Sequence, residues 1–355
     1  MGDNASKTHF TRNLLHWNSK DNDRKMPWKG EKNPYRIWLS EIILQQTRVE
    51  QGLEYYNRFI KTYPTISKLA AAPEEKVFKL WEGLGYYSRC RNLIATARYI
   101  ATERKGIFPG TYEDILTLKG VGPYTAAAIA SFAFNLPHAV VDGNVFRVLA
   151  RYFGIATDTM SSAGKKRFTS LANELLDKTS PGVYNQAIMD FGAMVCKPQS
   201  PLCGACPLHT KCVAFRDKKV ESLPVKTKQL AKKKRWFCYL VIEQHNKVLV
   251  RKRTAKDIWQ NLHEFVLVET PRRMPPEKFL QAPFYKQISS GNQFRVQSIS
   301  GTYIQQLSHQ TIEGYFLYIR AKKMPVIEGF EPVPVSWLPR LAFPRFISRY
   351  LAEKG

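Results

Sequence analysis

The sequence predicts two domains, a helical one followed by an α+β one. Three observations carry that reading. Residues 1 to about 215 place apolar side chains at helical spacing between short turns. Residues 216–235, RDKKVESLPVKTKQLAKKKR, then change the composition, with nine basic and two acidic residues and almost no apolar periodicity. Beyond them come β-rich runs separated by turn residues, closed by one helical segment. At 355 residues the chain is long enough for two domains, each with a sizeable core.

In the first domain, YRIWLSEIILQQTRVEQGLEYYNRFI (35–60) and RNLIATARYIATER (91–104) both show the helical period. Gly83, Gly85, the Pro109-Gly110 pair and Pro137 punctuate the segments between. The basic stretch 216–235 reads as an extended linker able to lie along a phosphate backbone. After it, RWFCYLVIEQHNKVLVRKR (235–253) predicts a hairpin turning at His245-Asn246. TYIQQLSHQTIEGYFLYIRAK (302–322) predicts further strands, and PRFISRYLAEK (344–354) a closing helix. No internal repeat or low-complexity tract is present.

Composition narrows the function classes. Apolar residues make up 44%, which fits a folded protein and not a disordered tail. No apolar run is long enough to cross a bilayer, and the N-terminus lacks the apolar core of a secretory signal. No membrane partner is expected, and the expected location is the cytoplasm. With 54 basic against 29 acidic residues, the formal charge of +25 favours a polyanion, because each Lys or Arg near a phosphate releases condensed counterions. Four of the six cysteines fall within residues 196–212, and with no export signal they point to a metal or cluster site rather than a disulfide framework. Four thiolates can hold zinc or an iron–sulfur cluster, and spacing alone does not choose. Cys90 and Cys238 stand apart as small buried residues.

LKGVGPYTAAAIASFAF (118–134) is a turn leading into a helix rich in small residues. Gly120 and Gly122 permit positive φ, and the amides that follow can point outward together. The unpaired N–H groups of the next helix add a partial positive charge, giving a phosphate site that carries no sequence information. A plain helix–turn–helix corner is the alternative. The net charge tips the balance toward phosphate.

This stretch resembles the helix–hairpin–helix motif of the DNA glycosylases related to endonuclease III. The spacing Cys196-x6-Cys203-x2-Cys206-x5-Cys212 resembles the set with which that superfamily ligates a [4Fe–4S] cluster. PYRIWLSEIILQQTRV, WEGLGYYSRCRNL, LKGVGPYTAAAI and VVDGNVFRVLAR are similar, in this order, to motifs of its adenine-specific branch, and the likeness extends over nearly the whole chain. It implies a mainly α glycosylase domain with a helix–hairpin–helix and an iron–sulfur cluster loop (1–215), a linker (216–235) and an α+β Nudix-like domain (236–355). It further implies one [4Fe–4S] cluster, a structural cation at the hairpin, and a monomer acting on nucleoid DNA in a bacterial cytoplasm.

Breaking an N-glycosidic bond needs a proton on the leaving base and a carboxylate facing the sugar cation. Glu41 interrupts an apolar run beside Ile37, Trp38 and Leu44, surroundings that raise a carboxyl pKa. The resemblance makes it the acid that protonates the adenine N7. Asp142 precedes Gly-Asn and a helical run, the position of an N-cap whose amide donors hold it ionised. The resemblance makes it the stabiliser of the sugar cation, with Asn144 ordering the attacking water. Tyr124 stands where strand-cutting relatives carry an imine-forming lysine; a phenol cannot form that imine, so base removal without an efficient lyase step is implied. Lys119 precedes the hairpin glycines and does not take that place.

A buried base must also be turned out of the duplex. By resemblance Gln46 wedges into the helix, Tyr86 intercalates, and Thr47 and Leu84 touch the opposing base. Packing in a core is the plain alternative for one of Tyr86 and Tyr87. Arg24, Trp28 and Gln186 match the adenine pocket, and Gln186 can hydrogen-bond but not act as an acid. In the second domain the Arg-Glu-x-x-Glu-Glu core of a working Nudix box is absent, so pyrophosphohydrolase activity is not expected. QLSHQ (306–310) resembles the loop that reads 8-oxoguanine through Ser308 and His309, with Leu307 replacing its aromatic residue. The expected function is a monofunctional glycosylase removing adenine mispaired with 8-oxoguanine or guanine in double-stranded DNA. The alternatives are a glycosylase/lyase for oxidised pyrimidines and a non-enzymatic DNA-binding protein.

Overall fold

The computed structural model describes residues 2–227 and 232–354. The chain forms two compact units, one from residues 1–71 and 92–228, the other from 72–91 and 229–355. Both belong to the architecture read from the sequence, helices first and a mixed sheet second.

The first unit opens with α1 (Gly2–Lys20), α2 (Pro34–Leu44), α3 (Val49–Thr62) and α4 (Ile66–Ala70). After α5 (Glu74–Trp81), α6 (Tyr87–Glu103) leads back into it, followed by α7 (Tyr112–Leu116), α8 (Pro123–Phe134), α9 (Gly143–Phe153), α10 (Ser162–Leu175), α11 (Pro181–Met194) and α12 (Val213–Arg216). Helix α2 starts cleanly because the Asn33 side chain accepts from the amides of Tyr35 and Arg36, with Pro34 as the first helical residue. Helix α8 is buried on every side from Thr125 to Ser131, so it runs through the middle of the unit. Phe10, Leu14 and Trp17 form the inner stripe of α1, with Phe10 4.9 Å from the Tyr152 ring and Trp17 edge-on to Phe191 at 5.0 Å.

The stretch 216–235 departs from the expected free linker. Arg216 ends α12, Leu223 is buried, and its carbonyl accepts from Arg151 Nε at 3.1 Å. The Val225 carbonyl accepts from the Thr159 amide at 3.2 Å. One apolar residue and two backbone acceptors anchor this stretch to the helical unit despite its charge. Thr227 adds a hydrogen bond to Asp158, and residues 228–231 of this stretch lie outside the described residues.

The second unit is built on β1 (Lys233–Gln244), β2 (Lys247–Lys252), β3 (His263–Glu264), β4 (Val266–Thr270), β5 (Phe294–Ile299), β6 (Tyr303–Gln306), β7 (Gln310–Ala321) and β8 (Glu331–Pro334). Strand order is β3-β2-β1-β7-β5, with β4 beside β1, β6 beside β7 and β8 beside β2. β1 and β7 run parallel, and the other pairings are antiparallel. The β1–β2 hairpin turns at His245 and Asn246, as the sequence predicts, and both adopt positive φ (46° and 59°) to match the strand twist. α13 (Pro276–Gln281) and α14 (Pro283–Ser289) cover one side of the sheet through Phe279 and Tyr285. On α15 (Arg345–Lys354), Tyr350 stacks on Phe316 at 4.1 Å.

Residues 72–91 join this second unit, which the sequence did not foretell. The Glu82 carboxylate accepts from the Phe343 amide and the Ser348 hydroxyl, both at 2.9 Å, and Lys79 donates to the Leu341 carbonyl. These are polar contacts at long sequence separation, and helical periodicity carries no trace of them. Among the described residues no helix is long and apolar enough to cross a membrane.

Candidate active site

A cleft of about 730 Å³ opens in the first unit. Its walls bring together nine residues that the sequence had singled out: Arg24, Trp28, Glu41, Gln46, Thr47, Tyr124, Asp142, Asn144 and Gln186. They come from the 21–33 loop and from helices α2, α8, α9 and α11 with their flanking turns.

Glu41 sits in the last turns of α2 with only 8% of its surface exposed. Ile37 and Trp38, its neighbours one turn back, are buried with it. Burial raises its pKa from 4.5 to about 7, a hydrogen bond from Tyr124 pulls against this, and the charge of Asp142 adds to the rise. A carboxyl with that value is about half protonated at neutrality and can give its proton away. The Tyr124 hydroxyl lies 3.6 Å from the Met189 sulfur. Burial and then the charges of Glu41 and Asp142 hold this phenol protonated, its pKa well above 10.

Asp142 caps α9. One oxygen accepts from the amides of Asn144 and Val145, and the other from the Asn144 side-chain amide, all at 2.8 Å. The expected donors are therefore present, and burial works against them. Burial outweighs the donors and Arg147, and the net displacement of the Asp142 pKa is upward. Glu41 meets burial with one compensating hydrogen bond, whereas Asp142 has three donors and a guanidinium. Asp142 is thus the better carrier of negative charge. The two carboxyls of this cleft meet unequal surroundings.

Arg147 fixes the geometry from behind. Its Nη2 donates to Asn144 Oδ1 at 2.8 Å and to the Gly192 carbonyl at 2.6 Å, and its Nε donates to the Cys196 carbonyl at 2.7 Å. Asn144 is held at both ends, its nitrogen on Asp142 and its oxygen on Arg147.

The pocket wall contains a residue that sequence reasoning missed. Asp190 has no exposed surface, yet it accepts from Arg24 at 2.8 Å, Asn22 at 3.0 Å and Gln186 Nε2 at 2.9 Å, and pairs with Lys29 at 3.1 Å. Its signal was available: a lone acid in an apolar helix, one turn beyond Gln186. With the Gln186 nitrogen turned to Asp190, its carbonyl oxygen remains to accept from a ligand. Trp28 meets Tyr56 edge-on at 5.3 Å.

The hairpin takes the expected turn, with a bond from the Val121 amide to the Leu118 carbonyl at 3.0 Å. Gly120 has φ of 83°, where a Cβ would also lie 2.7 Å from that of Asn92. Gly122 instead caps α8 in an extended conformation, φ −100°, so only one of the two glycines uses positive φ. Gln46, just past the end of α2, is exposed and holds a positive φ of 54°.

In the second unit, Tyr86 is exposed while Tyr87 is buried, the division foreseen for that pair. Leu84 is buried at 5% exposure, which runs against direct contact with a base from this arrangement of its loop. Ser308 and His309 stand exposed at the turn between β6 and β7.

Cys196, Cys203, Cys206 and Cys212 line one small cavity together with Arg151 and His209. Each of Cys203, Cys206 and Cys212 is raised first by burial and also by neighbouring thiols of the set. Among the described residues no three such groups approach closely enough to hold a single metal ion. Cys90 and Cys238 are buried and apart, as expected.

Residues 39–174 match the family described as HhH-GPD superfamily base excision DNA repair protein. The chain is 36% identical over 263 residues to the adenine DNA glycosylase of Buchnera aphidicola subsp. Baizongia pistaciae, covering 72% of this chain and 73% of that protein. It is 45% identical over 225 residues to the adenine DNA glycosylase of Rattus norvegicus, covering 61% of this chain and 43% of that protein. A thermostable thymine-DNA glycosylase of known structure superposes with a TM-score of 0.57 at 29% identity, over 61% of this chain and 100% of that one. The paired carboxyls, the hairpin and these likenesses agree, and the chain belongs to the adenine DNA glycosylases of the HhH-GPD superfamily.

Proposed function

We propose that this adenine DNA glycosylase acts on adenine opposite 8-oxoguanine or guanine in double-stranded DNA and leaves the strand uncut. The observation that carries the chemistry is Glu41, raised to about 7 in a cleft shared with Asp142 and Tyr124. An extruded adenine enters the cleft between Trp28 and the Asp190-bound groups, where the Gln186 oxygen accepts from its amino group. Glu41 donates its proton to N7, which makes the base a neutral leaving group. As the C1′–N9 bond breaks, Asp142 faces the oxocarbenium ion, and Asn144 positions the water that adds to it. The proton lost by that water returns the acid to its starting state.

Tyr124 keeps its proton throughout, because burial and two carboxyls hold it. It has no amine to form an imine with the sugar, so backbone cleavage is not part of the reaction. Gln46, exposed in the first unit, fills the space the base leaves. Gly120 and the start of α8 grip a backbone phosphate.

The four cysteines fit a four-iron cluster. All four line one small cavity, and four cysteine thiolates are the ligand set that such a cluster takes. When bound, the cluster supplies a structural staple. Arg147, which donates to the Cys196 carbonyl, is this chain's own link from that loop to Asn144.

The test is incubation with a duplex carrying adenine opposite 8-oxoguanine. Adenine release, with strand breakage that requires alkali, is the expected result. Equal breakage before alkali would contradict the role given to Tyr124. Release of an oxidised pyrimidine in preference to adenine would favour the other enzyme reading.

A further inference from the structure

The turn between β6 and β7 hides a chain of hydrogen bonds whose polarity can be worked out atom by atom. It starts at Arg235. That side chain is fixed by Glu269 (2.7 and 2.6 Å) and Asp257 (2.9 and 2.9 Å), and its guanidinium lies over the Phe237 ring at 4.9 Å. Arg235 Nη1 also points at Gln310 Oε1 at 3.5 Å. A guanidinium can only donate, so the Gln310 amide must turn its oxygen toward Arg235 and its NH2 the other way. Gln310 is 5% exposed and begins β7, so it has little freedom to flip.

The Gln310 NH2 meets His309 Nε2 at 2.8 Å. An amide nitrogen has no lone pair to offer, so Nε2 must accept. A neutral imidazole carries one N–H, which is thereby confined to Nδ1. His309 Nδ1 lies 3.2 Å from Ser308 Oγ and donates to it. The Ser308 hydroxyl hydrogen is then free to point outward. The backbone holds the frame: the Leu307 amide donates to the Gln310 carbonyl at 2.8 Å and the Lys233 amide to the His309 carbonyl at 3.2 Å.

We propose that Gln310 is a positioning residue that sets the hydrogen-bond polarity of this turn, holding His309 as its Nδ1–H tautomer and Ser308 as an outward donor. A fixed donor matches a carbonyl oxygen on a purine C8. 8-Oxoguanine has that oxygen, and guanine has only C–H there. The inference rests on the reading that this turn faces the base opposite adenine, and it adds the residue that decides which way the turn reads. Gln310 touches no base itself. Its substitution by Glu reverses the logic: a carboxylate would accept from Nε2–H, Nδ1 would accept from Ser308, and the serine would present lone pairs outward.

The test compares single-turnover adenine release from two duplexes, with 8-oxoguanine or guanine opposite the adenine. Gln310→Leu and Gln310→Glu are each expected to lower the 8-oxoguanine/guanine rate ratio about tenfold, the scale of one lost specific hydrogen bond. The rate opposite guanine should stay within about twofold. Ser308→Ala should lower the ratio as much, and adding either Gln310 change to it should do nothing more. Imidazole 15N shifts should show His309 protonated at Nδ1 in the parent and at Nε2 in Gln310→Glu, a readout that does not depend on activity.

An unchanged ratio in both Gln310 variants, with Ser308→Ala lowering it, would overturn the role of Gln310 alone. The same tautomer in the parent and in Gln310→Glu would also overturn it. An unchanged ratio in Ser308→Ala would instead remove the reading on which the inference stands.

Discussion

Gly192 packs so closely on Asn144 that a methyl group on its Cα would lie 2.7 Å from the Asn144 Cβ and 3.2 Å from its Cα and carbonyl oxygen. The atoms in the way are the stem and backbone of Asn144, which cannot swing aside as the far end of a long side chain could. Helix α11 therefore sets how far the start of α9 sits from the cleft. Gly192→Ala should push Asn144 off the Asp142 and Arg147 bonds that orient it. A displacement near 1 Å at a reacting group costs on the order of 100-fold in rate. The overpacking itself costs about 1–3 kcal/mol. Single-turnover rates and urea midpoints would measure the two effects, and a rate within twofold of the parent would contradict the coupling.

Glu41 governs a pH limb. Protonated below about 7, it can deliver its proton; above that value the acid form is depleted and base release should slow. Glu41→Gln should lose about 100- to 10,000-fold in rate while keeping its affinity for duplex DNA.

The same residue makes a stability prediction of opposite sign. Its folded value of about 7 exceeds 4.5, so between those limits the folded state binds more protons than the unfolded. Stability from this group is full below 4.5 and is lost as pH rises through 7. At pH near 8 the parent carries a buried charge that Glu41→Gln lacks, so the variant should be more stable there by about 2–3 kcal/mol. Near pH 5 the advantage should shrink. Parallel urea titrations at the two pH values would settle it, and an advantage of equal size at both would count against the raised value.

Tyr124 pulls the Glu41 pKa down through its hydrogen bond. Removing the hydroxyl in Tyr124→Phe should let Glu41 rise further, so the alkaline limb of the pH–rate profile should move upward. The plateau should fall at the same time, since the acid loses an orienting partner. A limb that moved down would show that the phenol acts on Glu41 in some other way.

Asp190 holds two cations and Gln186 in the pocket wall. Asp190→Asn removes the charge that Arg24 and Lys29 face and frees the Gln186 amide to flip. Breaking a buried pair costs about 3 kcal/mol here, at the low end of the usual range because both cations reach solvent. Substrate affinity should weaken more than the rate at saturation, which a split between KM and kcat would reveal.

Much of this is legible in the residues alone. The His245-Asn246 turn declares itself because few residues accept positive φ between two apolar runs. Glu41 stands out because a lone acid in IWLSEIIL has no polar face to occupy, and the structure buries it with Ile37 and Trp38. Asp142 before Gly-Asn reads as a cap from local backbone chemistry alone. Asp190 carried a similar signal, but its meaning depends on Arg24, 166 residues away. Leu223 and Val225 were hidden by their charged neighbours, since composition averages over a window and two anchoring contacts do not.

The sequence by itself determined the helices, the hairpins, the cap and the chemical types at the site, because each depends on residues within a turn or two of one another. Only the tertiary structure sets the two carboxyls apart, Glu41 with one compensating hydrogen bond and Asp142 among several donors. That division comes from unequal donors and unequal burial, and both are properties of a packed cleft assembled from distant segments. The assignment of residues 72–91 to the second unit has the same origin, in the bonds from Glu82 to Phe343 and Ser348 that no local pattern encodes.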